Sequence, residues 1–152
     1  MQNGCFGLAM TAASREAVDH YDEAVRAYLG FRTDTGGHLK QALAADAGLF
    51  MGHCIRGYFF KLFAVPALEQ KALEAADKAR QLAKVVSARE CEHLAALDAW
   101  CAGDMIECTT RWEGILVDYP RDILALRLAH FCHFYAGDSI AMRDSLARVM
   151  PA

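Results

Sequence analysis

Apolar and polar positions repeat along this chain with the period of an α-helix, and glycine, proline and capping residues interrupt them at short intervals. The first stretch follows Ser14, a residue type that caps helix N-termini well. Its apolar stripe recurs every three or four positions: Val18, Tyr21, Val25, Tyr28 and Leu29. The same signals along the rest of the chain predict eight helical segments that pair as four hairpins.

The next three helices have recognisable ends. A short second helix runs through Leu39 and is broken by Gly48. An unusually apolar third helix is expected over residues 50–63. The fourth begins at Pro66, a residue suited to the first helical turn, and runs to about residue 86.

Capping residues mark the last four helices. Ser87 and Glu90 predict a capping box that starts the fifth helix, and Asp104 with Glu107 predicts a second box for the sixth. The sixth helix should stop at Tyr119, because the residue before a proline disfavours helical angles. The seventh runs from about Asp122 to Gly137, and the eighth covers residues 139–150.

A Gly-Asp pair recurs in these turns at Gly103-Asp104 and Gly137-Asp138, an interval of 34 residues. This interval is the tetratricopeptide period, in which each repeat is one helix-turn-helix unit. Trp112 and Pro120 fall at the aromatic and closing positions of that frame. We therefore predict an all-α, tetratricopeptide-like right-handed α-solenoid of four helical hairpins. It forms a single domain over residues 1–152, with residues 1–13 as an N-terminal extension.

The composition and net charge limit the classes of function that this chain can have. The 152 residues are 55% apolar with three prolines, which excludes a disordered chain. A net charge of −3 without a basic run argues against nucleic acid or an anionic membrane as partner. No export signal is recognisable, so we expect a cytoplasmic protein whose six cysteines are reduced, metal-free and mostly buried. One or two oxidised pairs are the alternative.

Several stretches resemble bacterial tetratricopeptide repeat protein 38-like proteins. They are residues 21–25 with 28–31, 46–50 with 53–60, 87–90, 120–130 and 134–138. The similarity spans nearly the whole chain, although members of that family are longer, and Ala47 stands where this repeat type prefers proline. The resemblance implies a cytosolic helical-repeat protein of poorly defined biochemistry and supplies no catalytic residues.

The first helix of each pair lines the concave face of such a solenoid, and this predicts a binding groove for a protein, a peptide or a partner helix. The expected groove residues are Tyr58, His93, Leu97, Trp100, Arg127, Phe131 and Phe134. The function predicted is thus a protein-interaction or scaffold module without a cofactor. The alternative for these aromatic residues is that they pack in the core between helices.

His130 and His133 are the second candidate site, because residues three apart share one helix face. A zinc site needs further ligands, and the pair lacks the glutamate of a metalloprotease motif. No catalytic residues are therefore predicted, but an enzyme or metal-binding fragment built on these two histidines is the alternative function.

The last predicted helix carries an apolar surface that nothing after it would cover. Its members are Ile140, Met142, Leu146, Val149 and Met150. Because an uncapped solenoid end associates, we predict a homodimer through this helix. The alternative is that residues 6–10 fold back to cover it.

Overall fold

Eight α-helices and one 3₁₀ turn make up about 74% of the chain in the computed structural model, which describes residues 1–151. In chain order, the α-helices are α1 (Arg15–Leu29), α2 (Thr35–Ala45), α3 (Phe50–Leu62), α4 (Pro66–Leu82), α5 (Ala88–Cys101), α6 (Met105–Asp118), α7 (Ile123–Ala136) and α8 (Ser139–Val149). The predicted all-α fold of eight helices is confirmed. The fourth helix is shorter than predicted, because a separate 3₁₀ turn at Ala83–Val85 follows it. None of these helices combines the length and apolar character needed to cross a membrane.

Consecutive helices pack as pairs: α1 with α2, α3 with α4, α5 with α6, and α7 with α8. Helices two apart also pack, namely α3 on α5 and α6 on α8. Gly57 allows the first of these contacts. A Cβ atom at this position would lie 2.6 Å from Leu97 Cδ2, which is too close for two carbon atoms.

The two Gly-Asp turns are built alike. Gly103 and Gly137 have φ of +80° and +73°, the left-handed region that favours glycine. In each turn the aspartate N–H donates to a carbonyl five residues earlier, at 2.9 Å. Asp104 and Asp138 then cap α6 and α8 by accepting from the N–H three residues on. The prediction that these turns are equivalent is confirmed.

The predicted caps are confirmed at Ser14 and at the Ser87–Glu90 capping box. The second predicted box is only half present. Asp104 accepts from the Glu107 N–H at 2.9 Å, but the Glu107 carboxylate accepts from Arg111 Nε at 2.7 Å instead of turning back to the cap. A nearby guanidinium is a stronger partner than a neutral N–H group.

The N-terminal extension contains two short antiparallel strands, β1 (Gln2–Asn3) and β2 (Ala9–Met10), which the sequence pattern did not predict. Side chains of α1 and α5 bind it. The Asp22 carboxylate accepts from the Cys5 N–H at 2.6 Å, and Glu90 accepts from Thr11 N–H and Oγ1 at 2.8 Å each. Phe6, Leu8 and Met10 line a cavity at α1, α5 and the start of α7, which does not support the alternative that they cover α8.

Candidate functional site

The structure separates the seven predicted groove residues into two groups. Four of them are buried: Tyr58, His93, Leu97 and Trp100. Their side chains pack between helices, which is the alternative given above for the aromatic residues. The other three remain accessible: Arg127 and Phe131 are half-buried, and Phe134 is 66% exposed. A surface built from all seven is therefore not present, because four of them are core residues.

Two of these buried residues, Tyr58 and His93, belong to a hydrogen-bonded cluster with Arg89, Trp112 and Asp122, which we term the buried network. The Tyr58 hydroxyl accepts from Trp112 Nε1 at 3.2 Å and donates to the His93 carbonyl oxygen at 2.5 Å. His93 Nε2 lies 3.0 Å from Asp122 Oδ2, and the same oxygen accepts from Arg89 Nη1 at 2.6 Å. The other Asp122 oxygen caps α7 by accepting from the Ala125 N–H at 3.0 Å.

The charges in this network are compensated. Burial alone would raise the pKa of the Asp122 carboxyl, but His93, Arg89 and the Ala125 N–H outweigh it and hold that pKa well below its usual range. Burial raises the pKa of the Tyr58 hydroxyl well above its usual value, so this group stays protonated. The network is thus a closed set of satisfied polar groups around an ion pair.

A histidine bound to a carboxylate resembles part of a catalytic site. Such a site must also be accessible to substrate. The side chains of His93 and Asp122 are 0% and 2% exposed, so a substrate atom cannot touch them in this structure. The adjacent cavity has a volume of about 20 Å³, room for one water molecule. The network therefore ties α3, α5, α6 and α7 together and contributes stability.

The two candidate metal-binding histidines have different surroundings. His133 Nε2 lies 3.2 Å from Glu113 Oε1, and Arg148 binds the other oxygen of that carboxylate. His130 Nε2 is buried and has no hydrogen-bond partner in the described part of the chain, and burial lowers the pKa of this histidine. Among residues 1–151, no three His, Cys, Asp or Glu side chains are grouped closely enough to hold a metal ion.

All six cysteines are free thiols. Cys54, Cys108 and Cys132 are buried, and burial raises the pKa of each. Cys5 and Cys91 are exposed, so the expectation that most of the thiols are buried applies to only half of them.

A large open cavity lies elsewhere, between the end of α1, α2 and the second half of α3. This surface, which we term the basic-rimmed groove, has a volume of about 990 Å³. Its walls are mainly apolar and include Phe31, Leu39, Leu43, Phe59, Phe60 and Phe63. Leu39 is buried at its base, whereas Phe31 and Phe63 are 80% and 67% exposed at its edge. The volume and the apolar lining are typical of a ligand or docking site.

Basic side chains surround these apolar walls. Arg32, Lys40 and Arg56 line the groove directly. Arg127 reaches it from α7, with its guanidinium carbon 5.2 Å from the Phe31 ring centre and 6.0 Å from that of Tyr28. Arg32 is neutralised by Asp34. Within residues 1–151 the other three have no carboxylate at salt-bridge distance.

The edge of the groove includes a residue with an unfavourable backbone. Phe31 has φ of +54°, in the left-handed region where a residue with a Cβ is strained. It directly follows Gly30, where α1 ends, so it occupies a position at which glycine is the common choice. Its ring is nevertheless 80% exposed, so burial in the core does not offset the strain.

The repeat pattern predicted a binding surface on α3, α5 and α7 and did not predict this groove. A signal was present in the predicted third helix, which is apolar around its circumference. Such a helix is normally buried on all sides. Here its first part, from Phe50 to Tyr58, is buried except for Arg56, while Phe59, Phe60 and Phe63 remain open to the groove.

No protein-family model matches this chain, and no solved structure matches it. The resemblance to tetratricopeptide repeat protein 38-like proteins stays a prediction. The function must therefore be inferred from the surfaces of the molecule itself.

Proposed function

We propose that this protein is an interaction module that docks a helical segment of a protein partner in the basic-rimmed groove. The observation that carries this proposal is an apolar cavity of about 990 Å³ that the described residues leave open. Exposed apolar surface of this extent is costly in water and is common at interaction sites. A helix can fill such a groove by placing one apolar face on its walls while its polar face remains solvated.

The accessible members of the surface predicted from sequence lie on α7 beside this groove: Arg127, Phe131 and Phe134. Arg127 stacks on Phe31 and Tyr28 at the groove edge, and from there the aromatic residues of α7 continue outward. Phe131 lies 4.7 Å from Tyr135, ring centre to ring centre, and Tyr135 lies 5.5 Å from Phe134. A bound helix longer than the groove has further aromatic contacts available along α7.

The arrangement of hairpins that we propose for this module is a right-handed tetratricopeptide-like solenoid. Two features support it: equivalent turns 34 residues apart, and the packing of α3 on α5 and of α6 on α8. A cytoplasmic location remains our expectation, since six free thiols suit a reducing compartment. A homodimer through α8 is a further proposal, supported by exposed Ile140, Leu146 and Met150.

Site-specific photo-crosslinking tests the docking function. A photoreactive phenylalanine analogue replaces Phe63 at the groove edge or, as the control, Ile106, an exposed apolar residue of α6. We expect a discrete protein adduct from position 63 that is absent from position 106. Phe60→Asp should abolish this adduct while leaving the helical circular dichroism unchanged. Equal labelling at both positions, or an adduct insensitive to Phe60→Asp, contradicts the proposal.

A further inference from the structure

The charge around the groove has the opposite sign to the charge of the chain. The whole sequence carries a net charge of −3, yet all the charged side chains that line the groove are basic. Asp34, beside the rim, is engaged by Arg32 and lies 3.5 Å from His38 Nε2. The potential over the apolar walls is therefore set by Lys40, Arg56 and Arg127.

No carboxylate within residues 1–151 pairs with these three cations, which are positioned beside apolar surface. Arg56 lies over the Phe60 ring at 5.7 Å, and Arg127 lies over Phe31 at 5.2 Å. A helix that docks on the walls takes water away from these groups. Removing water from an unpaired cation costs free energy unless an anion replaces it. An uncharged or basic ligand would incur this cost, whereas an acidic ligand would offset it.

We infer, on the basis of the proposed docking function, that the partner segment is an acidic amphipathic helix. Its apolar face contacts Phe59, Leu43 and Leu39, and carboxylates on its flanks pair with Lys40, Arg56 and Arg127. Binding should therefore weaken as the salt concentration rises.

Phe31 is the positioning residue for this recognition. Its strained backbone and exposed ring serve no purpose in the core, but its ring holds the Arg127 guanidinium at the groove edge. Glycine at this position would relieve the strain and leave Arg127 with the Tyr28 ring alone. Phe31 therefore contributes to the recognition of charge and not to the stability of the fold.

Three labelled peptides test the inference. Each is about 18 residues long, or five helical turns, with one identical leucine-alanine face and a polar face of glutamate, glutamine or lysine. Fluorescence anisotropy measures their binding to the full chain. We expect the glutamate peptide to bind about tenfold more tightly than the glutamine peptide, and the lysine peptide to bind most weakly. Lys40→Glu with Arg56→Glu should reverse this order, whereas Lys71→Glu, an exposed change on α4, should preserve it.

A second pair of variants tests Phe31 itself. Phe31→Gly should lower the ratio of glutamate to glutamine peptide affinity about threefold, since Arg127 loses one of the two rings that hold it at the edge. Phe63→Gly removes another exposed phenyl group from the same groove and should weaken both peptides equally, leaving the ratio unchanged. Equal effects of the two variants on the ratio would overturn the role assigned to Phe31.

The outcomes separate the two proposals. If no peptide binds, the helix-docking function fails, and the charge inference fails with it. If all three peptides bind within about twofold of one another, docking stands and the inferred acidity of the partner is wrong. Dodecanoate is tested in parallel as a small anionic amphiphile. If dodecanoate binds and the glutamate peptide does not, the occupant is an acyl chain and the inference is overturned.

Discussion

The buried network and the basic-rimmed groove both place arginine and aromatic side chains together. They differ in whether the arginine has a carboxylate partner. In the network, Arg89 has a carboxylate partner at 2.6 Å and a carbonyl partner at 3.0 Å, and its side chain is only 5% exposed. In the groove, Arg56 and Arg127 lie on aromatic rings, and no carboxylate of the described residues 1–151 is at salt-bridge distance from either. A compensated buried charge stabilises the fold it connects. Uncompensated charge at an open apolar surface is available for a ligand.

Asp122→Ala should give the largest loss of stability, because it leaves Arg89 buried without its partner and removes the α7 cap. We expect the free energy of unfolding to fall by about 3–5 kcal/mol. Urea denaturation followed by circular dichroism measures it. Asp138→Ala is the matched control, since Asp138 caps α8 in the same manner but is exposed. It should cost only about 1 kcal/mol, and equal losses would contradict the network's role.

The Asp122 carboxylate should also make the free energy of unfolding depend on pH, and this effect should be of intermediate size. The pKa of Asp122 is lower in the folded protein than in the unfolded chain, where a value of about 3.9 applies. Its contribution to stability is therefore complete above that value and declines as the pH falls toward the folded pKa. The difference in unfolding free energy between the unmodified protein and Asp122→Asn should shrink below about pH 4. A difference that stays constant down to about pH 3 would show that the carboxylate charge does not stabilise the fold.

The smallest predicted effect on stability is at the edge of the groove. Phe63→Gly should destabilise by about 1 kcal/mol, because Phe63 has ordinary right-handed angles and glycine adds flexibility to the unfolded chain. Phe31→Gly should change stability by less than about 0.5 kcal/mol, since relief of the left-handed strain offsets that flexibility. Thermal unfolding of the two variants compares them directly. A larger loss for Phe31→Gly would mean that its ring stabilises the fold.

Much of the helical framework could be predicted from local sequence. Ser14 and Ser87 cap helices as expected, and the Gly-Asp turns have the backbone angles that the residue types require. Trp112, assigned to a packing position from the repeat frame, is fully buried. These features depend on residues within one turn or one hairpin of each other. Interactions within short segments of the chain therefore determine these features.

The candidate site could not be predicted in the same way. A helical period shows that Tyr58, Trp100 and Phe59 are apolar positions, but it does not show which neighbouring helix reaches each one. Tyr58 is enclosed because Trp112, 54 residues away, donates to its hydroxyl. Phe59, the next residue, lies instead at the groove that α1 and α2 leave open.

By itself, the sequence determined the number of helices, most of their caps and the geometry of the repeated turns. The tertiary structure decided which charged groups acquire partners. Arg89 meets Asp122 across 33 residues of sequence, while Arg127 lies over two aromatic rings and has no carboxylate at salt-bridge distance among residues 1–151. Pairing and desolvation depend on distances between helices, and these distances follow from how whole helices pack rather than from the residues of any one of them.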